Sequence, residues 1–259
     1  MAIVYLDIET VPEAAVPGHD LLTLAAVAGF EVAPDLDFYD RRPPANYRDP
    51  AKIEAWWAEE MVRQKRAHEE HRAASKAKAI ADFQALSLDP MRCRVLCAGV
   101  AVDDGEPDVI VGDERQIMRD LAAVVEGAHG KFGQDERPTI FVAHNGKAFD
   151  FPVLRLRAYR HGVFGLCRML HSPKPYSSHL IDTLEHWPST QHGRVKAGGS
   201  MDKICEFLGV LRRDNPIKGS EVLGAYMDGR MDDIVAHCRA DVRDLRAIYQ
   251  AIRTMGGGL

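Results

Sequence analysis

The sequence predicts an α/β protein: a mixed five-stranded sheet with helices on both faces. Three observations predict it. Five short apolar runs read as strands, at residues 2–10, 94–102, 108–111, 138–143 and 180–183. Asp103-Asp104-Gly105 is a strong hairpin signal between the second and third of them. After that meander, strands alternate with segments whose apolar residues recur every three or four positions, the helical period. Strands alternating with helices indicate a sheet of mixed direction covered on two sides.

The first strand is Ala2 to Thr10, ended by Val11-Pro12. Residues 14–30 read as loop and a short apolar helix, and 31–49 as a Pro-, Asp- and Arg-rich surface loop. Asp49-Pro50 opens a long helix over 51–83, with proline at the first helical position. Its apolar stripe is thin, so most of its charge should be a solvated face. Residues 11–90 form a largely helical insertion in a single domain spanning 1–259. After the hairpin, Ile117, Leu121 and Val124 line one side of a helix over 114–127. A helix over 151–161 should bury Val153, Leu154 and Leu156 and turn Arg155, Arg157 and Arg160 outward. Residues 171–179 and 187–199 read as loops. Ser200 and Gly209 are start and stop signals for a short helix between them. Residues 211–220 read as a basic loop. The last helix, 231–254, keeps Ile234, Cys238, Val242, Leu245, Ile248 and Ile252 on one face.

Composition bounds the function. The formal charge of −5 provides no global basic field, so a nucleic-acid site must be a local patch. The five cysteines form no CxxC pair, which suits a reduced, cytoplasmic protein. Acidic residues at positions 7 and 9 stand where a signal peptide needs an apolar core. The longest apolar stretch, Leu21 to Phe30, is too short to span a bilayer, and no membrane association is expected. His68 and His71 fall one helical turn apart, but no third metal ligand accompanies them.

Chemistry concentrates in three acidic places. Asp7 and Glu9 are two apart in a strand, so both side chains stand on one face. Two carboxylates that close repel unless a cation sits between them, and hard oxygen ligands suit Mg²⁺ or Mn²⁺. A solvated acidic turn is the plainer reading of that pair alone. Asp150 follows another strand and begins a helix. Asp241 lies in the last helix with His237 one turn before it, on the same face. Sites in α/β sheets gather at strand ends, and two divalent ions held by about four carboxylates can activate water against a phosphodiester.

The motifs Leu6-Asp7-Ile8-Glu9-Thr10, Asn145 with Phe149-Asp150, and His237-Cys238-Arg239-Ala240-Asp241-Val242 resemble the three exonuclease motifs of the DEDD superfamily. The resemblance is to the predicted 3′–5′ exonucleases similar to the proofreading domain of family B DNA polymerases. It extends to Tyr47–Ile53, Ala85–Pro90 and Gly219–Arg230, and so covers nearly the whole chain. It implies a ribonuclease H-like fold. It also implies two Mg²⁺ or Mn²⁺ ions on Asp7, Glu9, Asp150 and Asp241, and hydrolysis from a 3′ end. One departure stands out. The polymerase-like branch places a tyrosine four residues before its last aspartate, and the other branch a histidine five before. This chain has histidine at the tyrosine's spacing. His237 is therefore expected either to orient or deprotonate the attacking water or to be a structural helix residue.

Substrate contacts are less defined. Thr10, Asn145, Phe149, Arg194 and Lys196 are the candidates, Asn145 serving equally well as a turn cap and Phe149 as core. Arg212, Arg213 and Lys218 extend the basic set, and Asp182 either supports the site or caps a turn. Single-stranded DNA is the favoured substrate. RNA is the alternative, and so is a nucleic-acid-binding module with weakened catalysis. No polymerase region follows the third motif, so the expectation is a stand-alone nuclease or a subunit acting in trans, with a protein partner in repair or replication left open.

Overall fold

A computed structural model of the chain describes residues 2–34, 41–129, 139–171, 179–191, 194–197, 199–210 and 215–254; for 188–191 and 194–197 it describes the backbone alone. The elements are β1 (Ala2–Pro12), α1 (Leu21–Val27), α2 (Pro50–Ala85), β2 (Cys93–Val102), β3 (Asp108–Val111), α3 (Glu114–His129), β4 (Thr139–Ala143), α4 (Asp150–Arg160), α5 (Phe164–Met169), β5 (Leu180–Asp182), β6 (Pro188–Gln191), β7 (Arg194–Ala197), α6 (Met201–Leu208), α7 (Val222–Met227) and α8 (Met231–Thr254). They fall into two compact units, one of residues 1–18 with 86–259, the other of residues 19–85.

In the first unit the main sheet has the order β3-β2-β1-β4-β5. β1 runs antiparallel to β2, and β2 to β3. β1 runs parallel to β4, and β4 to β5. This is the mixed five-stranded, ribonuclease H-like sheet that the sequence predicts. The alternation of β1 explains its central place. Val4, Leu6 and Ile8 enter one core with Ile117, Met118 and Leu121 of α3, Val153 and Leu154 of α4, and Leu166 of α5. Ile3 and Tyr5 point the other way, against Val242, Leu245 and Tyr249 of α8. Tyr5 and Tyr249 meet edge to face, with ring centroids 5.8 Å apart. Helices thus cover both faces, and α6 packs on the outer part of α8 through Ile204, Cys205, Ile248 and Ile252.

The structure departs from the sequence reading in several places. Residues 187–199 are not simply a loop: β6 and β7 pair antiparallel as a small second sheet. Two short helices, α5 and α7, were not anticipated. Ser200 occupies the cap position of α6 without a side-chain capping bond, whereas Gly209 ends that helix in the left-handed conformation as expected (φ 66°). Arg157 does not point outward. It is 2% exposed and gives two hydrogen bonds to Glu114, from Nε at 2.7 Å and from Nη2 at 2.5 Å. Glu114 also accepts from the Val95 N–H at 2.8 Å, tying the starts of α3 and β2 to α4.

The second unit contains α1 and α2. Asp49 accepts from the Ala51 N–H at 3.0 Å and starts α2. Few residues of α2 are buried: Glu60, Ala79 and Phe83. Glu60 breaks the expected pattern of a solvated charged face, since its buried carboxylate holds Arg63 at 2.8 Å and Arg41 at 3.6 Å. Among the described residues His68 and His71 join no group able to hold a metal, and no helix is long and apolar enough to cross a membrane. All five cysteines are free thiols.

Candidate metal and catalytic centre

The site lies at the end of β1, where the face that packs on α8 changes from apolar to acidic. Ile3 and Tyr5 precede Asp7 and Glu9 on that face. A register shift lies between Glu9 and Thr10: Glu9 pairs with Cys97, but Thr10 pairs with Val95, leaving Leu96 as an extra residue on β2. Such bulges re-aim side chains next to sites.

Asp150 arrives by a different route. β4 pairs with β1 only as far as Tyr5–Val142. The chain then turns through His144–Phe149, and the first residue of α4 comes back against β1. Asp150 Oδ1 accepts from the Ile8 N–H at 3.2 Å, so the carboxylate extends the ladder that β4 has left. That turn is held by Asp182 at the end of β5. Its carboxylate accepts from the N–H groups of Asn145 (2.8 Å), Lys147 (3.1 Å) and Leu184 (2.9 Å). Asn145 takes the left-handed conformation there (φ 60°), which asparagine tolerates. At Gly146 a Cβ would lie 2.3 Å from that of Ala143, so only glycine fits.

α8 supplies the remaining groups. His237 Nε2 lies 3.3 Å from Glu9 Oε1 and 3.6 Å from Asp241 Oδ2. Glu9, His237 and Asp241 each offer an atom within 4.8 Å of the others, and so do Asp7, Glu9 and Cys238. The Cys238 thiol donates to the Asp7 carbonyl at 3.7 Å. α8 comes this close because β2 presents Gly99 opposite Asp7. Asn215, from the segment before α7, completes the cluster. Its Nδ2 donates to Asp241 Oδ1 at 3.1 Å and its Oδ1 lies 2.8 Å from His237 Nδ1.

Electrostatics is adverse to this cluster by itself. Burial, then the charges of Asp241 and Asp150, push the Asp7 carboxyl well above the usual carboxylate range. Burial and then Asp7 do the same to Glu9. Burial raises Asp150 to about 7. Among the described residues Asp7 Oδ2 is buried without a hydrogen-bond partner. A buried, unsatisfied carboxylate oxygen among other carboxylates is the setting a divalent cation relieves. The donor set of oxygens with one imidazole fits Mg²⁺ or Mn²⁺.

The structure therefore brings Asp7, Glu9, Asp150, His237 and Asp241 together. The substrate candidates are more scattered in role. Thr10 is buried, and its hydroxyl donates to the Ser87 carbonyl at 2.6 Å. The Asn145 side chain is exposed at the turn. Phe149 packs at the edge of the core. Arg194 and Lys196 lie on β7, where the backbone alone is described. Arg212 and Arg213 lie outside the described residues. Lys218 is exposed, and its N–H donates to Glu221 at 2.8 Å. Sequence reasoning missed Asn215 and Gly99. No spacing rule connects Asn215 to His237, and an isolated glycine in a strand signals a close backbone approach without naming what approaches.

Residues 92–259, well over half of the chain, match the model of a family described as a predicted 3′–5′ exonuclease related to the exonuclease domain of PolB. The chain belongs to this family. The part that matches the PolB-related exonucleases contains Asp150, His237 and Asp241, whereas Asp7 and Glu9 precede it. A DNA polymerase of Archaeoglobus fulgidus is 20% identical over 173 residues, which are 64% of this chain and 21% of the polymerase. The family B DNA polymerase from the hyperthermophilic archaeon Pyrobaculum calidifontis superposes with a TM-score of 0.53 at 16% identity, covering 97% of this chain and 24% of that one. At such identity the likeness establishes the fold. The chain spans under a quarter of the length of these polymerase relatives.

Proposed function

We propose that the protein is a 3′–5′ exonuclease that hydrolyses single-stranded DNA from its 3′ end with two divalent ions, Mg²⁺ or Mn²⁺. The observation that carries this reading is the convergence of Asp7, Glu9, Asp150 and Asp241 around a buried Asp7 oxygen that has no hydrogen-bond partner among the described residues. These four carboxylates would hold the ions. Bound there, divalent cations lower the pKa of an attacking water and neutralise charge on the phosphate. His237 Nε2, facing Glu9 and Asp241, orients that water and takes its proton. Asp182, through the 144–150 turn, keeps Asp150 against β1. The family description supports the polarity. In this reading residues 1–259 are one nuclease domain, with 11–90 a helical insertion and Thr10, Asn145, Phe149, Arg194 and Lys196 the strand contacts. The free thiols suit the reducing cytoplasm.

The test is digestion of matched 5′-labelled DNA and RNA oligonucleotides, with Mg²⁺ or Mn²⁺ and after chelation. A metal-dependent descending ladder on DNA is the expected result. Immediate release of labelled mononucleotide, or cleavage of a closed circle, overturns the polarity. A ladder on RNA alone makes the protein an exoribonuclease. Oligonucleotide binding without hydrolysis would make it a nucleic-acid-binding module, the reading that the histidine at the tyrosine spacing favours.

A further inference from the structure

Several cations of α2 are neutralised by acids of the same helix. Arg63 reaches the buried Glu60 at 2.8 Å, Arg66 reaches Glu70 at 2.8 Å, and Lys78 pairs with Asp82. Lys65, Arg72 and Lys76 differ: among the described residues none of them forms an ion pair. Steps of seven and four residues keep these three on one face of the helix. Steps of four toward the N-terminus continue that face to Met61 and Trp57. Met61 is 68% exposed and Trp57 41%. Met61, Lys65, Arg72 and Lys76 line one open groove of about 660 Å³, in which Glu69 is the one carboxylate among the described residues.

A row of unpaired cations attracts a chain of negative charge, and an acidic peptide or a nucleic acid would satisfy it. The ring that continues the row favours the nucleic acid. Single strands combine a phosphate backbone with bases that stack on aromatic side chains, whereas an acidic peptide needs no such ring. We propose that this face of α2 is a nucleic-acid contact separate from the carboxylate centre, holding the phosphates of a single strand at Lys65, Arg72 and Lys76 and stacking a base on Trp57. That the strand held here is the nuclease's substrate rests on the function proposed above; the binding itself does not.

The dimensions suit a strand several nucleotides long. At 1.5 Å per residue, about 12 Å of helix axis separate Trp57 from Lys65, and about 16 Å separate Lys65 from Lys76. Trp56 meets Trp57 edge to face with ring centroids 4.9 Å apart, which steadies the Trp57 ring while leaving it partly exposed. The chain's formal charge of −5 provides no general attraction for a polyanion, so binding here depends on the local row. None of these residues belongs to the unit that carries Asp7, Glu9, Asp150 and Asp241.

The experiment is fluorescence anisotropy of a labelled oligothymidylate with the full chain, titrated at several salt concentrations in chelator. Without metal nothing is hydrolysed, and the carboxylate centre repels the strand. The parent should bind, with log affinity falling as log salt rises. Lys65→Gln, Arg72→Gln and Lys76→Gln together should reduce the steepness of that fall by about two, at about 0.7 for each phosphate contact. The charge-preserving set Lys65→Arg, Arg72→Lys and Lys76→Arg should keep it, and so should Arg66→Gln, which removes a cation already paired with Glu70. Trp57→Ala should weaken binding at least about fivefold. No binding by the parent, an unchanged salt slope in the folded glutamine variant, or an equal loss in Arg66→Gln overturns the proposal. Polyglutamate that displaces the strand as well as unlabelled oligothymidylate does would assign the face to an acidic protein and overturn it too. If the glutamine variant fails to fold by circular dichroism, Trp57→Ala and the polyglutamate competition decide. Binding that persists in a protein without hydrolysis in Mg²⁺ or Mn²⁺ would sink the nuclease reading and leave this one standing.

Discussion

Gly99 on β2 and Val242 on α8 pack so closely that a Cβ on Gly99 would lie 2.7 Å from Val242 Cγ2. It would also stand 2.9 Å from Cys238 Sγ and 3.2 Å from the Cys238 carbonyl, which belongs to the helix backbone and cannot rotate away. Gly99→Ala must therefore displace α8. Overpacking of this kind costs about 1–3 kcal/mol. We expect a lower melting temperature together with loss of activity, because α8 carries His237 and Asp241. A Gly99→Ala protein with parental activity would show that the helix can shift without moving the site.

Asp7 should be essential for hydrolysis and costly for the fold. Its carboxyl is raised by burial and by Asp241 and Asp150. Asp7→Asn removes a charge from that cluster. It should abolish turnover and raise the melting temperature of the metal-free protein. Added Mn²⁺ should stabilise the parent more than the variant. Equal stabilisation of both, measured by thermal melting, would remove Asp7 from the metal site.

Stability of the metal-free protein should depend on pH in a defined direction. Asp150 is raised to about 7 by burial, so the folded state holds its proton more tightly than the unfolded chain does. The associated stability is fully present below the ordinary aspartate value and fades as pH rises through about 7. The melting temperature should fall between about pH 4 and pH 7 in chelator, and saturating Mg²⁺ should flatten that slope. A slope unchanged in Asp150→Asn would assign it to other groups.

His237→Ala should slow hydrolysis by about 10²–10⁴-fold if the imidazole handles the water. His237→Tyr places the tyrosine of the polymerase-like branch at its own spacing and should retain more activity than alanine. Parental rates for His237→Ala at saturating metal would make the imidazole structural.

Glu114 offers a test away from the site. Against the cost of burial, Arg157, His161 and the Val95 N–H hold its carboxyl below the usual range. Glu114→Ala leaves the 2%-exposed Arg157 without its main partner. Breaking such a buried pair costs about 3–5 kcal/mol. Denaturant unfolding should show that loss while metal binding persists, and a change under about 1 kcal/mol would mean that solvent replaces the pair.

The sequence revealed the parts of the fold whose pattern is local. β1 and β4 are apolar runs rich in β-branched residues, and α8 keeps its period over six turns, so these elements and the acidic residues on or beside them were legible. The short pieces were not: α7 has six residues and β6 and β7 four each, too few for a period to emerge. Arg157 was misplaced because residue type was weighed above the period: Asp150, Val153, Leu154, Arg157 and Ala158 form the buried face of α4, and Leu156, read as core, is exposed. The Asn215 contacts bridge segments more than 20 residues apart and leave no mark on spacing.

The distance along the chain between Glu9 and its partners His237 and Asp241 has a consequence for synthesis. Translation makes the acidic strand first and the helix that completes it last, with β2, β4 and Asp150 in between. A growing chain on the ribosome carries Asp7 and Glu9 long before α8 exists. Such a nascent chain holds only part of the acidic cluster. The cluster closes only when α8 docks on the sheet and sets His237 and Asp241 beside Glu9.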